Sequence, residues 1–161
     1  MFYKSGNREA VRDTFNSDFS KTGYFNSPGY PYKSDTEKSK EFHFKGIPGE
    51  RVRIVFDNFN LYRKNVNNRC GESDSVLRYE KENQKVVNLC GNIVPLPIMS
   101  ESNELKLEYR QANEFPEEKQ GFNGSYAFVT RCKPATNDTI ETQSLTPKTP
   151  IDIASRSSSI I

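Results

Sequence analysis

The chain has 161 residues, of which 34% are apolar and 27% are charged, and its formal net charge is +2. Its apolar runs are short and broken by prolines, so the sequence contains no stretch of the roughly 20 apolar residues that a spanning helix needs. Lysine and arginine alternate with acidic residues along most of the chain, which argues against the clustered basic surface of a nucleic-acid-binding protein.

The amino-terminal residues 1–18 are polar and aperiodic, and we expect them to form a loose leader. They include no apolar segment of the kind that a signal peptide requires. If the protein is extracellular, the sequence is therefore expected to be a fragment, an isoform or the product of a mis-started gene model.

Residues 19–131 hold almost all of the 11 phenylalanines and 8 tyrosines, and their hydrophobic pattern has a period of two. This pattern predicts half-buried strands with one wet face, and no segment shows a long helical stripe. The alternating positions in chain order are Phe42 and Phe44, then Val52, Ile54 and Phe56, then Leu77 and Tyr79, then Leu105, Leu107 and Tyr109, and finally Tyr126 and Phe128.

Proline and glycine separate these predicted strands. The segments Ser27-Pro28-Gly29-Tyr30 and Ile47-Pro48-Gly49-Glu50 have proline and glycine at the central positions of a type II turn. Asn123-Gly124 is read as a further turn. Short strands with such turns predict an all-β fold, an antiparallel β-sandwich.

The carboxy-terminal residues 132–161 have a different composition. They contain ten serines or threonines and three prolines but no aromatic residue. Such a segment cannot build a core, and we expect a disordered Ser/Thr-rich tail.

The cysteines are Cys70, Cys90 and Cys132, and no pair has the CxxC spacing of a zinc or thioredoxin-type site. The separation of Cys70 and Cys90 suits a disulfide. Three free thiols in a cytosolic protein are equally compatible with the spacing.

Catalysis finds little support in the sequence. A Ser-His-Asp or Cys-His enzyme would have to use His43, the only histidine, which alternates with Phe42 and Phe44 on the wet side of a strand. No nucleophile motif accompanies it. We therefore expect no enzyme, no cofactor and no catalytic residue.

The order of several short segments is more specific than any one of them. It runs from Gly23-Tyr24-Phe25-Asn26-Ser27-Pro28-Gly29-Tyr30-Pro31 through Ile47-Pro48-Gly49-Glu50 and Phe59-Asn60-Leu61 to Cys70, Asp74-Ser75-Val76-Leu77, Leu89-Cys90-Gly91, Leu105-Lys106-Leu107-Glu108-Tyr109 and Gly121-Phe122-Asn123-Gly124-Ser125-Tyr126. In this order the chain resembles a CUB domain from about Phe19 to Arg131.

The resemblance implies a jelly-roll-like sandwich of two antiparallel sheets and an extracellular, non-catalytic module that binds proteins. It also implies a disulfide between Cys70 and Cys90, which match the second cysteine pair of the family. The family's first pair is absent here. Cys132 matches neither pair, and it belongs to a following segment, pairs between chains or is a free thiol.

Many CUB domains bind calcium through carboxylates at three positions. The resemblance places Tyr62, Asp74 and Ala112 at these positions, with Glu72 beside Asp74. One secure carboxylate is too few for a cation that takes six to eight oxygen ligands, so we expect no metal site.

The same region is predicted to contact a protein partner, with Tyr62, Asp74 and Tyr30 as the candidate residues, because tyrosine is enriched at interface hot spots. Two triplets, Asn123-Gly124-Ser125 and Asn137-Asp138-Thr139, make Asn123 and Asn137 candidate glycosylation sites in an extracellular chain.

A finer resemblance involves Phe59-Asn60-Leu61-Tyr62 and Pro95-Leu96-Pro97-Ile98-Met99-Ser100, which look like stretches of suppressor-of-lurcher-like CUB proteins. It implies an accessory module of an ionotropic receptor, with a receptor or channel ectodomain as its partner. The alternatives are a non-catalytic accessory domain of a secreted protease and a matrix or adhesion component.

Overall fold

The computed structural model describes residues 11–34, 36–63, 70–80, 84–112 and 120–130. Strands account for the regular structure of these residues, and they bear out the all-β prediction. They are β1 (Val11–Asn16), β2 (Thr22–Asn26), β3 (Ser39–Lys45), β4 (Glu50–Asn60), β5 (Ser75–Tyr79), β6 (Lys85–Leu89), β7 (Ile98–Met99), β8 (Glu104–Arg110) and β9 (Gly121–Thr130).

The strands form two sheets that pack face to face as a sandwich. One sheet has the order β1-β3-β8-β5-β6 and the other has the order β2-β9-β4-β7. Every pair is antiparallel except β1 and β3, which run parallel from Val11 opposite Lys40 to Asn16 opposite Lys45. The structure differs here from the expected leader over residues 1–18, because Val11–Asn16 forms an edge strand whose polar residues face solvent and whose Phe15 packs on the core.

The core between the sheets is mainly aromatic. Phe25 lies near its centre and has its ring within 5.4–5.9 Å of the rings of Phe42, Phe44, Phe56 and Phe122, mostly in edge-to-face geometry. Such aromatic pairs stabilise a core beyond the area that they bury. Because most strands contribute every second residue, the inner faces of both sheets are filled and the outer faces are largely polar.

The two predicted Pro-Gly turns are confirmed. The amide of Tyr30 donates to the carbonyl of Ser27 at 3.1 Å, and the amide of Glu50 donates to the carbonyl of Ile47 at the same distance. Gly29 and Gly49 have φ angles of +73° and +93°, the left-handed conformation that the third residue of a type II turn requires.

The third predicted turn, Asn123-Gly124, is wrong. Both residues lie inside β9, between β2 and β4. The pairing of β4 with β9 shifts between Phe56 and Asn58, so that Asp57 forms a bulge opposite Gly124. A Cβ at Gly124 would stand 2.5 Å from the carbonyl oxygen of Val55, so glycine is needed for close strand approach and not for chain reversal.

The described part of the chain includes no helix of the length and hydrophobicity needed to cross a bilayer. The predicted tail over residues 132–161, with Cys132 and Asn137, lies outside the described residues, as does most of the expected leader.

Candidate functional site

The end of the sandwich at which β4 finishes brings together most of the residues that the sequence singles out. We call it the Asp74 end and define it as Tyr30–Lys33, Leu61–Arg63, Cys70–Asp74, Gly91 and Gln111–Ala112. The opposite end, where β4 begins, is the Glu50 end and comprises Ser17–Lys21 and Gly46–Glu50. The two ends are separated by the length of an 11-residue strand.

Asp74 is the centre of the Asp74 end. Its side chain is fully buried, and its Oδ2 lies 2.5 Å from the Nζ of Lys33, whose side chain is only 1% exposed. Its Oδ1 accepts a hydrogen bond of 2.8 Å from the amide of Ala112, and its own amide donates to the carbonyl of Tyr62 at 3.0 Å. Through its carboxylate and its backbone amide, Asp74 therefore joins the segment after β2, the end of β4, the start of β5 and the end of β8.

Two tyrosines surround this ion pair. The Nζ of Lys33 lies 5.3 Å from the centre of the Tyr62 ring, within the range of a cation–π contact. Tyr109 is buried beside the pair, and burial together with the negative charge of Asp74 raises the pKa of its hydroxyl above the ordinary value. The tyrosine therefore stays neutral, and the ion pair lies between two aromatic side chains.

A disulfide closes the same end. Cys70 precedes β5, Cys90 follows β6, and their Cα atoms are 5.7 Å apart, which confirms the predicted bridge. The carbonyl of Gly91, next to Cys90, accepts a hydrogen bond of 2.9 Å from the amide of Leu61. The bridge and this hydrogen bond hold the β5–β6 pair against the end of β4.

Tyr30 lies at the same end of the sandwich, beside the last residues of β4, Asn58 and Asn60. It is half-buried and lines an open depression of about 380 Å³ together with Pro31, Asn58, Asn60, Gln120 and Gly121. Ser27 anchors the turn before it, because its hydroxyl accepts from the amide of Phe122 at 3.0 Å. Tyr30 and Tyr62 thus belong to one end of the sandwich.

The structure corrects one of the three candidate contact residues. Asp74 was expected on the surface, but its exposure is 0% and its carboxylate is held by Lys33 and Ala112. In this position it supports the loops from inside. Tyr62 and Tyr30 are half-buried, so part of each ring faces solvent.

Sequence reasoning missed Lys33. A lysine in a polar segment after a Pro-Gly turn is ordinarily solvent-exposed, and only the fold brings it to Asp74. It also missed the solvent exposure of the apolar side chains in residues 91–97, which we call the 91–97 segment. Ile93, Val94 and Leu96 are 80%, 48% and 86% exposed there, and an uncharged run interrupted by Pro95 and Pro97 was the available signal.

The single histidine lies on the outer face of the five-stranded sheet, as predicted. His43 Nε2 is 3.0 Å from Glu41 Oε2, and Arg12 also bonds this carboxylate at 2.9 Å. Partial burial lowers the pKa of His43, although its bond to Glu41 acts in the opposite direction. The arrangement is an ionic cross-link between β1 and β3.

Asn123 is half-buried in β9, and the oxygen of its amide is shielded from solvent. The expectation that this residue lies in a turn is wrong. Its role as a glycan acceptor remains a prediction.

The fold and this end agree with a known family of domains. The family model described as "CUB domain" matches residues 16–126. The chain belongs to the CUB domain family. CUB domains are non-catalytic and typically act as extracellular protein-interaction modules.

Known CUB proteins and structures are similar to the chain at low sequence identity. Mouse Tolloid-like protein 1 is 25% identical over 116 residues, which are 70% of this chain and 11% of that protein. The full extracellular region of zebrafish Gpr126/Adgrg6 has 22% identity and a TM-score of 0.60, covering 76% of this chain and 15% of that one. The MASP-1 CUB2 domain bound to Ca²⁺ has 21% identity and a TM-score of 0.59, covering 71% and 96%.

The chain thus spans about a tenth of the length of the first curated relatives that it matches. At these identities the solved structures show a shared fold. The finer resemblance to suppressor-of-lurcher-like proteins remains a prediction.

The residues at the Asp74 end do not fit a calcium ion. Tyr62 and Ala112 meet Asp74 as the resemblance implies, but Ala112 has no side-chain oxygen and the ammonium group of Lys33 stands against the carboxylate. Calcium takes six to eight oxygen ligands, usually including several carboxylates. Among the described residues no group of three or more histidine, cysteine or acidic side chains could hold a metal.

Proposed function

We propose that this CUB domain is an extracellular, non-enzymatic module that binds a protein partner through the Asp74 end and the adjoining 91–97 segment. The observation that carries the proposal is the cluster of exposed apolar side chains in that segment, Ile93, Val94 and Leu96. Contiguous exposed apolar groups are typical of protein interaction sites.

The position of this cluster supports a shared contact surface. Gly91 bonds to Leu61, so the 91–97 segment begins beside Tyr62 and Arg63. Tyr32, in the segment that holds Lys33, is 50% exposed. Tyrosine and leucine side chains presented from a cross-linked scaffold bind with little loss of conformational entropy.

The chemistry of the surface indicates the kind of partner. Lys33 and Asp74 neutralise each other inside, and the surface of this end combines the tyrosine rings and the adjoining apolar 91–97 segment with the exposed side chains of Arg63 and Glu72. We propose the ectodomain of a receptor or channel with an apolar contact patch as the partner, in line with an accessory role at an ionotropic receptor.

A second candidate is a non-catalytic domain in a longer secreted protein. The similarity to Tolloid-like protein 1, of which the matched part is 11%, supports a module that occurs within a larger chain. In that case the same surface would contact neighbouring domains or their substrate protein.

The test compares substitutions at two ends of the sandwich in pull-downs against receptor ectodomains. We expect Leu96→Ser and Tyr62→Ala each to weaken binding by about 1–3 kcal/mol, the usual size for an interface anchor. Phe19→Ser is the matched control, because Phe19 is 88% exposed at the Glu50 end. Circular dichroism verifies that each variant is folded.

Two results would count against this proposal. If folded Leu96→Ser and Tyr62→Ala bind as well as the unmodified chain, the contact lies elsewhere. If Phe19→Ser alone loses binding, the surface is at the Glu50 end.

A further inference from the structure

The ion pair of Lys33 and Asp74 has an unusual position for two charged side chains. Both are essentially inaccessible, with exposures of 1% and 0%, and their charged atoms are 2.5 Å apart. Lysine and aspartate are almost never fully buried unless they are paired. Their burial therefore has to be offset by interactions that the surrounding loops supply.

The contacts of Asp74 show what the pair organises. Its carboxylate accepts a hydrogen bond from the amide of Ala112, and its own amide donates to the carbonyl of Tyr62. These segments follow β8 and β4, and Lys33 lies in the connection from β2 to β3. The ammonium group of Lys33 therefore faces the same carboxylate that accepts the hydrogen bond from Ala112.

A bound metal ion could supply a positive charge beside a carboxylate in a domain of this fold, and the MASP-1 CUB2 structure holds Ca²⁺. In the present chain the position next to the carboxylate belongs to an ammonium group, and the face of the Tyr62 ring covers it at 5.3 Å. An aromatic face attracts an alkylammonium ion through its quadrupole. The surroundings thus match lysine and not a divalent cation.

We infer that the ammonium group of Lys33 is a resident cation that orders the loops of the Asp74 end, so that this end needs no calcium. Because this ammonium group is covalently part of the chain, it occupies the site at any concentration of free cations. The inference concerns the folded chain alone and holds whichever partner the domain binds.

Hydrogen exchange of two amides tests the inference directly. The amides of Asp74 and Ala112 report on the site, because they donate to Tyr62 and to Asp74. The amide of Glu50, which donates to Ile47 at the other end, serves as an internal reference. We expect the protection of all three in the unmodified chain to be the same in EDTA and in about 5 mM calcium, a concentration above the dissociation constants of extracellular calcium modules.

In Lys33→Ala, we expect the amides of Asp74 and Ala112 to exchange at least about tenfold faster, while Glu50 keeps its protection. Lys21→Ala, which removes the exposed lysine at the Glu50 end, is the matched control and should leave Asp74 and Ala112 unchanged.

Acetylation of lysines in EDTA gives a second measurement that needs no variant. Lys33 should react far more slowly than Lys21, whose side chain is 52% exposed. The inference is overturned if EDTA removes the protection of Asp74 and Ala112 in the unmodified chain, or if Lys33 is acetylated as fast as Lys21.

Discussion

Two lysine–carboxylate pairs of the same length lie at opposite ends of β4. Lys33–Asp74 and Lys21–Glu50 both have a nitrogen–oxygen distance of 2.5 Å. They differ in the burial of the lysine, because the side chain of Lys33 is 1% exposed and that of Lys21 is 52% exposed. The two carboxylates are both buried, with exposures of 0% for Asp74 and 6% for Glu50. Distance alone therefore says little about what each pair does for the fold.

The difference in burial changes the consequence of losing one partner. When Lys21 is lost, water can reach the Glu50 carboxylate through the surface position that the lysine leaves, and the carboxylate keeps the hydrogen bond of 3.1 Å from the amide of Ile47. Ion pairs with an exposed partner contribute little to stability. A charge that is left alone at the Asp74 end has no such replacement, and breaking a buried pair is strongly destabilising. The comparison predicts a graded series of effects.

The largest effect is expected for Lys33→Met, which removes the ammonium group and keeps most of the side-chain volume. The free energy of unfolding should fall by about 3–5 kcal/mol, because the Asp74 carboxylate is left buried without its cation. Urea unfolding followed by circular dichroism measures this change.

The double variant Lys33→Met with Asp74→Leu sharpens the same point. It should regain much of the loss, since removing both charges avoids the cost of burying one alone. A single variant as stable as the unmodified chain would show that the pair is solvated in solution.

The disulfide at the Asp74 end should have the next largest effect. Replacing both Cys70 and Cys90 by alanine removes a cross-link between residues that are 20 positions apart in the sequence. The free energy of unfolding should fall by about 3 kcal/mol in the chain-entropy model. Denaturant midpoints of the two proteins test it. Equal midpoints would mean that Lys33 and Asp74 hold this end without the bridge.

Lys21→Met is the counterpart of Lys33→Met at the Glu50 end. It removes the same group from a pair of the same length, but the expected loss of stability is less than about a quarter of the loss at Lys33. The two variants are compared in parallel urea titrations. Losses of similar size would show that burial is not the factor that separates the two ends.

The smallest effect concerns pH at the Glu50 end. Hydrogen bonds from Lys21 and Ser17 lower the pKa of Glu50 below its ordinary value of 4.5. Since the folded-state pKa lies below the unfolded one, the carboxylate stabilises the fold fully above pH 4.5, and this contribution is lost as the pH falls through the folded-state pKa.

Glu50→Gln should therefore reduce the loss of stability on acidification below pH 4.5. Urea unfolding of both proteins at pH 7 and at several lower values measures it. An unchanged pH dependence would mean that Glu50 has the same pKa in the folded and unfolded states.

The strands were predictable because every second residue is apolar in a strand of a sheet that has one buried face and one solvent-exposed face. Phe42 and Phe44 or Val52, Ile54 and Phe56 show this pattern plainly, and all five are buried. In β5 the assignment of Leu77 and Tyr79 to the core-facing positions is wrong, because Val76 and Leu77 are both apolar and the alternation does not decide between the two faces. The structure turns Val76 toward the aromatic core, whereas Leu77 lies opposite Glu108 and Asn88.

The site was less accessible to sequence reasoning. Tyr62, Asp74 and Ala112 were grouped by family resemblance, and the disulfide was inferred in the same way. The partner of Asp74 could not be inferred, because Lys33 reaches it through the packing of loops that are far apart in sequence. Likewise, Asn123-Gly124 fits a turn locally, and only its pairing with β4 reveals a strand.

Pro95 and Pro97 have a consequence for how neighbouring molecules can approach the four-stranded sheet. They precede β7, which has only two residues and pairs with Arg53 and Ile54 near the middle of β4. Proline has no amide hydrogen, so these positions cannot extend the ladder toward an incoming strand. The β7 edge of this sheet is thus protected against edge-to-edge aggregation, and recognition at this edge has to proceed through side chains and not through strand addition.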